Sequence, residues 1–301
     1  MTKIQNCKQN WLLFTFFILL VLGLLGFLFL DTDQLFHNSR TNESVSLGVF
    51  LLFGIVFAPV LEELSFRGLF LSNKKLIVVS LILLSCFSLF SYENYYIIAI
   101  FVLLINTFFV YKFYPSKLLF KLICIFNALL FGFIHYQVDD FTSIDKGFII
   151  LFQISIGFLL IWVTLNFGLI KSMLVHAAYN AIALSFLIIS VQFPDTKINT
   201  YEDENITVEW QRVPYFGNSR SSISSLSDGT EGKNTSINFL YTTAGMGYSE
   251  VENEEIIQTE MYMKYNFKIH LKENIPRKNI KKAIYNFFLN EGLIAPIEVI
   301  E

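Results

Sequence analysis

The amino-acid sequence predicts an all-α polytopic membrane protein of about seven transmembrane helices with a small C-terminal α+β soluble domain. Composition is the first of three observations behind this. Of 301 residues, 54% are apolar, 16% are charged and 33 are Phe, and the mean hydropathy of +0.53 lies far from that of soluble globular chains. The second is a series of seven apolar runs, each long enough or nearly so to cross a hydrocarbon core that needs about 20 helical residues. The third is an abrupt change near Gln192, after which polar and charged residues dominate.

The runs cover residues 11–30, 45–70, 75–92, 94–114, 117–136, 147–168 and 170–191. The first follows Lys3 and Lys8, exceeds the roughly 7 to 15 residues of a signal-peptide core and has no small-residue cleavage site after it, so it reads as an uncleaved span. The third and fourth are nearly contiguous and form either a tight hairpin or one bent element. Near the run ends, Lys3, Lys8, Lys74, Lys75, Lys112, Lys117, Lys121 and Lys171 fall on one side, against Arg40 and Lys146 on the other. The positive-inside rule then puts the N-terminus in the cytoplasm, and an odd number of crossings sends the C-terminal region outside. A net charge of -3, with no basic cluster interleaved with aromatics, gives no footing for a nucleic-acid partner. Cys7, Cys86 and Cys124 match neither a zinc nor a disulfide spacing.

The membrane part is taken as 1–192 and the appendage as 193–301. The appendage opens on a linker-like stretch that includes a Ser/Gly-rich segment from Gly217 to Gly232. Alternation of Met261, Met263, Tyr265, Phe267, Ile269 and Leu271 with polar neighbours predicts a half-buried strand, and 206–213 and 237–243 are weaker strand candidates. Pro276 opens an amphipathic helix with the apolar face Ile280, Ala283, Ile284, Phe287 and Phe288, stopped by Gly292. His270 falls on the polar face of the predicted strand and reads as a solvated side chain.

Chemistry is concentrated where charge interrupts the apolar runs. Glu62-Glu63-Leu64-Ser65-Phe66-Arg67 places two carboxylates and a guanidinium in the second run, where each ionised group costs roughly 2.5–3.5 kcal/mol on insertion scales. Four residues apart on a helix, Glu63 and Arg67 face each other as an ion pair, and Glu62 points about 100° away with no sequence-local partner. His135 interrupts the fifth run, and His176 and Asn180 share one face of the last. Each alone could be an inter-helix hydrogen bond worth about 0.6–2 kcal/mol. Together they bring a free carboxylate, two imidazoles and an amide into membrane segments.

Glu-Glu-x-x-x-Arg at 62–67, Phe-x-x-x-His at 131–135 and His-x-x-x-Asn at 176–180 resemble the motifs of CPBP (CAAX protease and bacteriocin-processing, Abi) intramembrane proteases. The resemblance covers about residues 48–187 and departs from the family's pattern in two extra apolar segments over 75–114. It implies an integral protein of the bacterial inner membrane whose substrate is a peptide or membrane protein. It further implies that Glu62 is the general base on a water held jointly with His135, that His176 and Asn180 donate to the oxyanion, and that Glu63, Arg67 and Phe131 are structural support. No cofactor is favoured, although Glu62, His135 and His176 would also make a His2Glu zinc set; metal-free glutamate chemistry is preferred because Asn180 reads better as an oxyanion donor than as a ligand. The alternatives are a non-catalytic membrane immunity or peptide-binding protein on the same scaffold, and a transporter, in which intramembrane acids are also found.

Overall fold

The computed structural model describes residues 9–27, 46–91, 93–136, 144–216, 220–246, 262–272 and 277–294, with positions 138, 141 and 275. Lys3, Cys7, Lys8, Arg40, Gly217, Met261 and Pro276 lie outside the described residues. The chain divides into two compact units, one of Met1–Asp31 with Leu51–Ile182 and one of Thr32–Phe50 with Ala183–Glu301.

The helices in chain order are α1 (Asn10–Phe27), α2 (Leu47–Leu52), α3 (Ala58–Arg67), α4 (Lys74–Phe90), α5 (Tyr95–Phe113), α6 (Lys117–Phe133), α7 (Ile144–Phe167) and α8 (Leu169–Ser190). A π-helical turn at Phe53–Phe57 and a 3-10 turn at Gly68–Phe70 make Leu47–Phe70 one continuous rod. Among the described residues, four helical stretches are long and apolar enough to cross a membrane: Leu47–Phe70, Tyr95–Phe113, Lys146–Phe167 and Leu169–Ile189. The expectation of about seven spans is therefore corrected to four. Two of the apolar runs yield shorter helices than their length implied, since α4 and α6 have 17 residues each, and α1 is described over 18 residues. At 1.5 Å per residue these reach roughly 25–27 Å, against about 30 Å of hydrocarbon. The runs extended past the helix ends: Ser91 is the C-cap of α4, and Ile134–Tyr136 form a turn beyond α6. The third and fourth runs are a helical hairpin cornered near Asn94.

Within this unit α1 lies along α7, α6 packs between α5 and α7, and α3 packs on α4 and reaches α7. Small residues set the α6–α7 approach: a Cβ on Gly157 would lie 3.1 Å from Ala128, and one on Gly132 would lie 2.5 Å from Ile154. Phe66, Leu69, Leu104, Ala128, Phe131 and Leu160 form the centre of its apolar core. This packing brings α3, α6 and α7 together around the residues that interrupt the apolar runs.

The second unit carries a five-stranded antiparallel sheet in the order β1-β2-β5-β4-β3, with β1 at Asn199–Glu202, β2 at Ile206–Val213, β3 at Ser222–Leu226, β4 at Gly229–Thr235 and β5 at Lys264–Leu271. Val208 faces Ile269 across the β2–β5 pair. On one face, Ile206, Val208, Tyr265, Phe267 and Ile269 are buried together with Ile280, Ala283, Ile284, Phe287 and Phe288 of α10 (Arg277–Asn290). Gly292 ends α10 with φ 68°, the left-handed value that favours glycine there.

Two sequence readings change in this unit. Residues 237–243 were a strand candidate, but Ile237–Met246 is a helix, α9, whose buried Ile237, Leu240 and Tyr241 follow helical spacing; Ser236 caps it through Phe239 N–H at 3.2 Å. From Arg220 onward, the Ser/Gly-rich stretch read as linker contributes β3 and the start of β4, joined by the two-residue turn Ser227-Asp228. Its glycine is sterically required, because a Cβ on Gly229 would meet the Ile269 carbonyl oxygen at 1.9 Å.

Pairing Gly229 with His270 also brings Asp228 within 2.8 Å of His270 Nδ1, so this imidazole is not merely solvated. The hydrogen bond from His270 holds the Asp228 carboxyl below its ordinary range, against a smaller opposing effect of burial. Because the folded value is the lower one, the stabilisation is present above the unfolded carboxyl range and disappears as pH falls through the folded value. His270→Ala is expected to return Asp228 towards an ordinary carboxyl titration, measured by NMR of the labelled carboxyl.

Candidate functional site

The site begins with a break in the helix. The Ala58 N–H bonds the Phe53 carbonyl five residues back, the π register, so the next carbonyl, Gly54, would look to residue 59 for its donor. Residue 59 is proline and has no N–H. The Asn180 side-chain amide fills the gap, with Nδ2 donating to the Gly54 oxygen at 2.7 Å. Pro59 therefore creates the acceptor that fixes Asn180, one turn along α8 from His176. Asn180→Ala is expected to reduce stability by about 1–3 kcal/mol through the orphaned carbonyl, in addition to any loss of turnover; denaturant melts in detergent check the first effect.

Glu63 and Arg67 are fully buried and pair at 3.5 Å. The guanidinium also donates from Nη2 to the Gly157 oxygen at 3.3 Å and lies over the Phe131 ring, 4.5 Å from its centroid. Glu63 is held further by Ser172 Oγ–H at one carboxylate oxygen and by His176 Nδ1 at the other, 3.1 Å away. An ionised carboxylate only accepts, so His176 Nδ1 carries its proton and, in the neutral ring, Nε2 is bare. His135 follows the same logic. Its Nδ1 lies 2.9 Å from the Phe131 carbonyl oxygen, which also only accepts, leaving Nε2 as the free position.

Both Nε2 atoms turn towards Glu62 Oε2, at 3.7 Å from His176 and 3.9 Å from His135. That oxygen is buried and has no hydrogen-bond partner among the described residues. Three acceptors thus converge, and such a cluster calls for a donor: a proton on one imidazole, or a water that donates to two of the three at about 2.8 Å. Exposure is graded across the group, with the side chains of His176, Glu62 and His135 at 3%, 18% and 33%. The outer edge lies at His135. Phe131 forms the floor, its ring edge-on to both imidazoles at 5.4 and 5.5 Å.

No protein-family model, curated protein or solved structure matches this chain.

The seven residues singled out from the sequence stand as follows. Glu62, His135 and His176 meet around one oxygen, Glu63 and Arg67 form a pair behind them, Phe131 lies under the imidazoles, and Asn180 is bound to Gly54. Among the described residues no group of three or more His, Cys, Asp or Glu is placed to hold a metal ion. Zinc ligands about 2.0–2.1 Å from the metal lie near 3.3–3.4 Å apart, and the two Nε2 atoms stand 3.7 and 3.9 Å from Glu62 Oε2.

Three supporting residues were missed. Ser172 sits one turn before His176 and binds Glu63, and that spacing could have signalled it. Asn127, one turn before Phe131, donates from Nδ2 to the Phe66 oxygen at 2.8 Å and ties α6 to α3. Gly157 gives Arg67 its carbonyl, and nothing in the local sequence marks it.

Proposed function

We propose that this protein is an intramembrane endopeptidase of CPBP type that hydrolyses a peptide bond by glutamate chemistry. The observation that carries the reading is the convergence of Glu62 Oε2 with the two Nε2 atoms, because these groups can bind, orient and deprotonate one water. Glu62 takes a proton from that water while His135 accepts its second hydrogen bond. The oxygen adds to the scissile carbonyl, and the proton on Glu62 passes to the leaving amine, so peptide and water become a carboxylate and an amine.

His176 differs from His135 in what stands behind it. Glu63 accepts from its Nδ1 and fixes the orientation of the ring, whereas His135 Nδ1 meets a backbone carbonyl. Protonated, His176 donates to the oxyanion from a buried position where such a donor is strong. Asn180 commits one amide proton to Gly54 and brings its second to the same face of α8. Arg67 balances Glu63 and leaves Glu62 as the reactive carboxylate.

The substrate is a peptide or membrane protein that reaches the site from the lipid bilayer, and nucleic acid has no part. We place the protein in the bacterial inner membrane with its N-terminus in the cytoplasm. With four crossings among the described residues in place of seven, the parity argument that sent the C-terminal region outside no longer holds.

The test is a comparison of membrane peptides in cells carrying wild type or Glu62→Ala. Accumulation of uncleaved peptides in the variant supports the reading, and identical profiles with an unchanged phenotype favour a peptide-binding or immunity protein. Activity that persists in strong chelator agrees with glutamate chemistry; loss restored by zinc overturns it.

A further inference from the structure

The helical hairpin of α4 and α5 occupies the stretch where the motif pattern departs from the resembled family, and its corner touches the site. Asn94, at 5% exposure, uses both ends of its side-chain amide. Oδ1 accepts from the backbone N–H groups of Tyr96 and Ile97 at 3.1 and 3.4 Å, capping α5. Nδ2 donates to the carbonyl of Tyr136 at 3.0 Å.

Tyr136 follows His135 directly, in the turn that closes α6. A carbonyl just past a helix end has no successor N–H within the helix and needs a partner from elsewhere. The turn is also held by Tyr136 N–H to the Phe133 oxygen at 3.0 Å and by Ile134 N–H to the Leu130 oxygen at 3.1 Å. These bonds fix the turn to its own helix, whereas Asn94 fixes it to another. His135 is the most exposed of the three converging groups and its Nε2 is the farther one from Glu62, so its placement depends most on how the turn is held.

We infer that Asn94 is a positioning residue for His135: the inserted hairpin holds the His135 turn through an amide that caps α5 with its oxygen and fixes Tyr136 with its nitrogen. The inference rests on the reading of Glu62, His135 and His176 as the reactive cluster. Residues that orient a reactive histidine through hydrogen bonds of this kind affect activity by about 10- to 100-fold when lost.

The two functions of the amide can be separated. Asn94→Asp keeps the capping oxygen and loses the donor, and Asn94→Ser keeps a capping hydroxyl too short to reach Tyr136. Both are expected to melt somewhat below wild type in detergent, since each orphans the Tyr136 carbonyl, to lose about 10- to 100-fold in kcat/KM with the pH profile displaced, and to show faster diethylpyrocarbonate modification of His135 by mass spectrometry. Asn94→Ala should share these changes and melt lower still, because the cap of α5 is lost as well. Wild-type modification of His135 in the Asp and Ser variants overturns the inference and leaves Asn94 as a cap alone. The modification assay needs no substrate, so if the wild type cleaves no peptide, the protease reading fails while the role of Asn94 is still decided.

Discussion

Arg67→Met is expected to destabilise the membrane bundle by about 3–5 kcal/mol, because it leaves the Glu63 carboxylate fully buried without its cation. Methionine has nearly the same reach and is at home among Phe66 and Phe131, so lost packing contributes little and the cost falls on the charge. Glu63 retains Ser172 and His176 as donors, which moderates the loss without removing it. The double variant Glu63→Met, Arg67→Met should recover most of the stability, since a buried ion pair replaced by packed apolar groups is often neutral or better. It should nevertheless be inactive, because His176 then has no carboxylate behind Nδ1. Denaturant unfolding in detergent gives the stabilities. A double variant as unstable as Arg67→Met alone would show that the pair holds the bundle through its geometry rather than its charge balance.

The same pair explains why part of the site was legible in the sequence. Charge within an apolar run is rare enough that Glu62, Glu63, Arg67, His135 and His176 stand out singly, and the i to i+4 rule pairs Glu63 with Arg67 without coordinates. Ser172, Asn127 and Gly157 do not stand out, because serine, asparagine and glycine are ordinary in apolar helices and their partners lie on other helices. The anchoring of Asn180 was half written in Ala58-Pro59. A proline in the helix announces an unfilled carbonyl, but which one is orphaned depends on the π turn, a backbone register that residue types do not encode.

In the fold, hydropathy identified the apolar helices and overstated the number of spans, since a run's length includes caps and turns that a helix excludes. The buried strand Lys264–Leu271 and the amphipathic helix Arg277–Asn290 announced themselves by period. Strand Ser222–Leu226 could not, because an edge strand with little burial needs no alternation, and Ile237–Met246 was misread because a short apolar run carries no decisive period.

Glu62→Gln is expected to abolish turnover by about 100- to 10,000-fold, the range attached to losing a general base, with stability unchanged or slightly raised. The stability half of the prediction follows from the three converging acceptors. Glutamine has the shape of glutamate but offers an N–H2 group, which can donate to the bare Nε2 of either imidazole. The substitution therefore satisfies the cluster better than the native carboxylate does, while removing the atom that takes the proton. A structural role for Glu62 predicts the opposite pattern, with stability falling or activity indifferent. The two readings separate in one purified variant, measured for melting and for cleavage of the peptides that accumulate in Glu62→Ala cells. Wild-type cleavage by Glu62→Gln would remove glutamate chemistry from this site, whatever the fold around it.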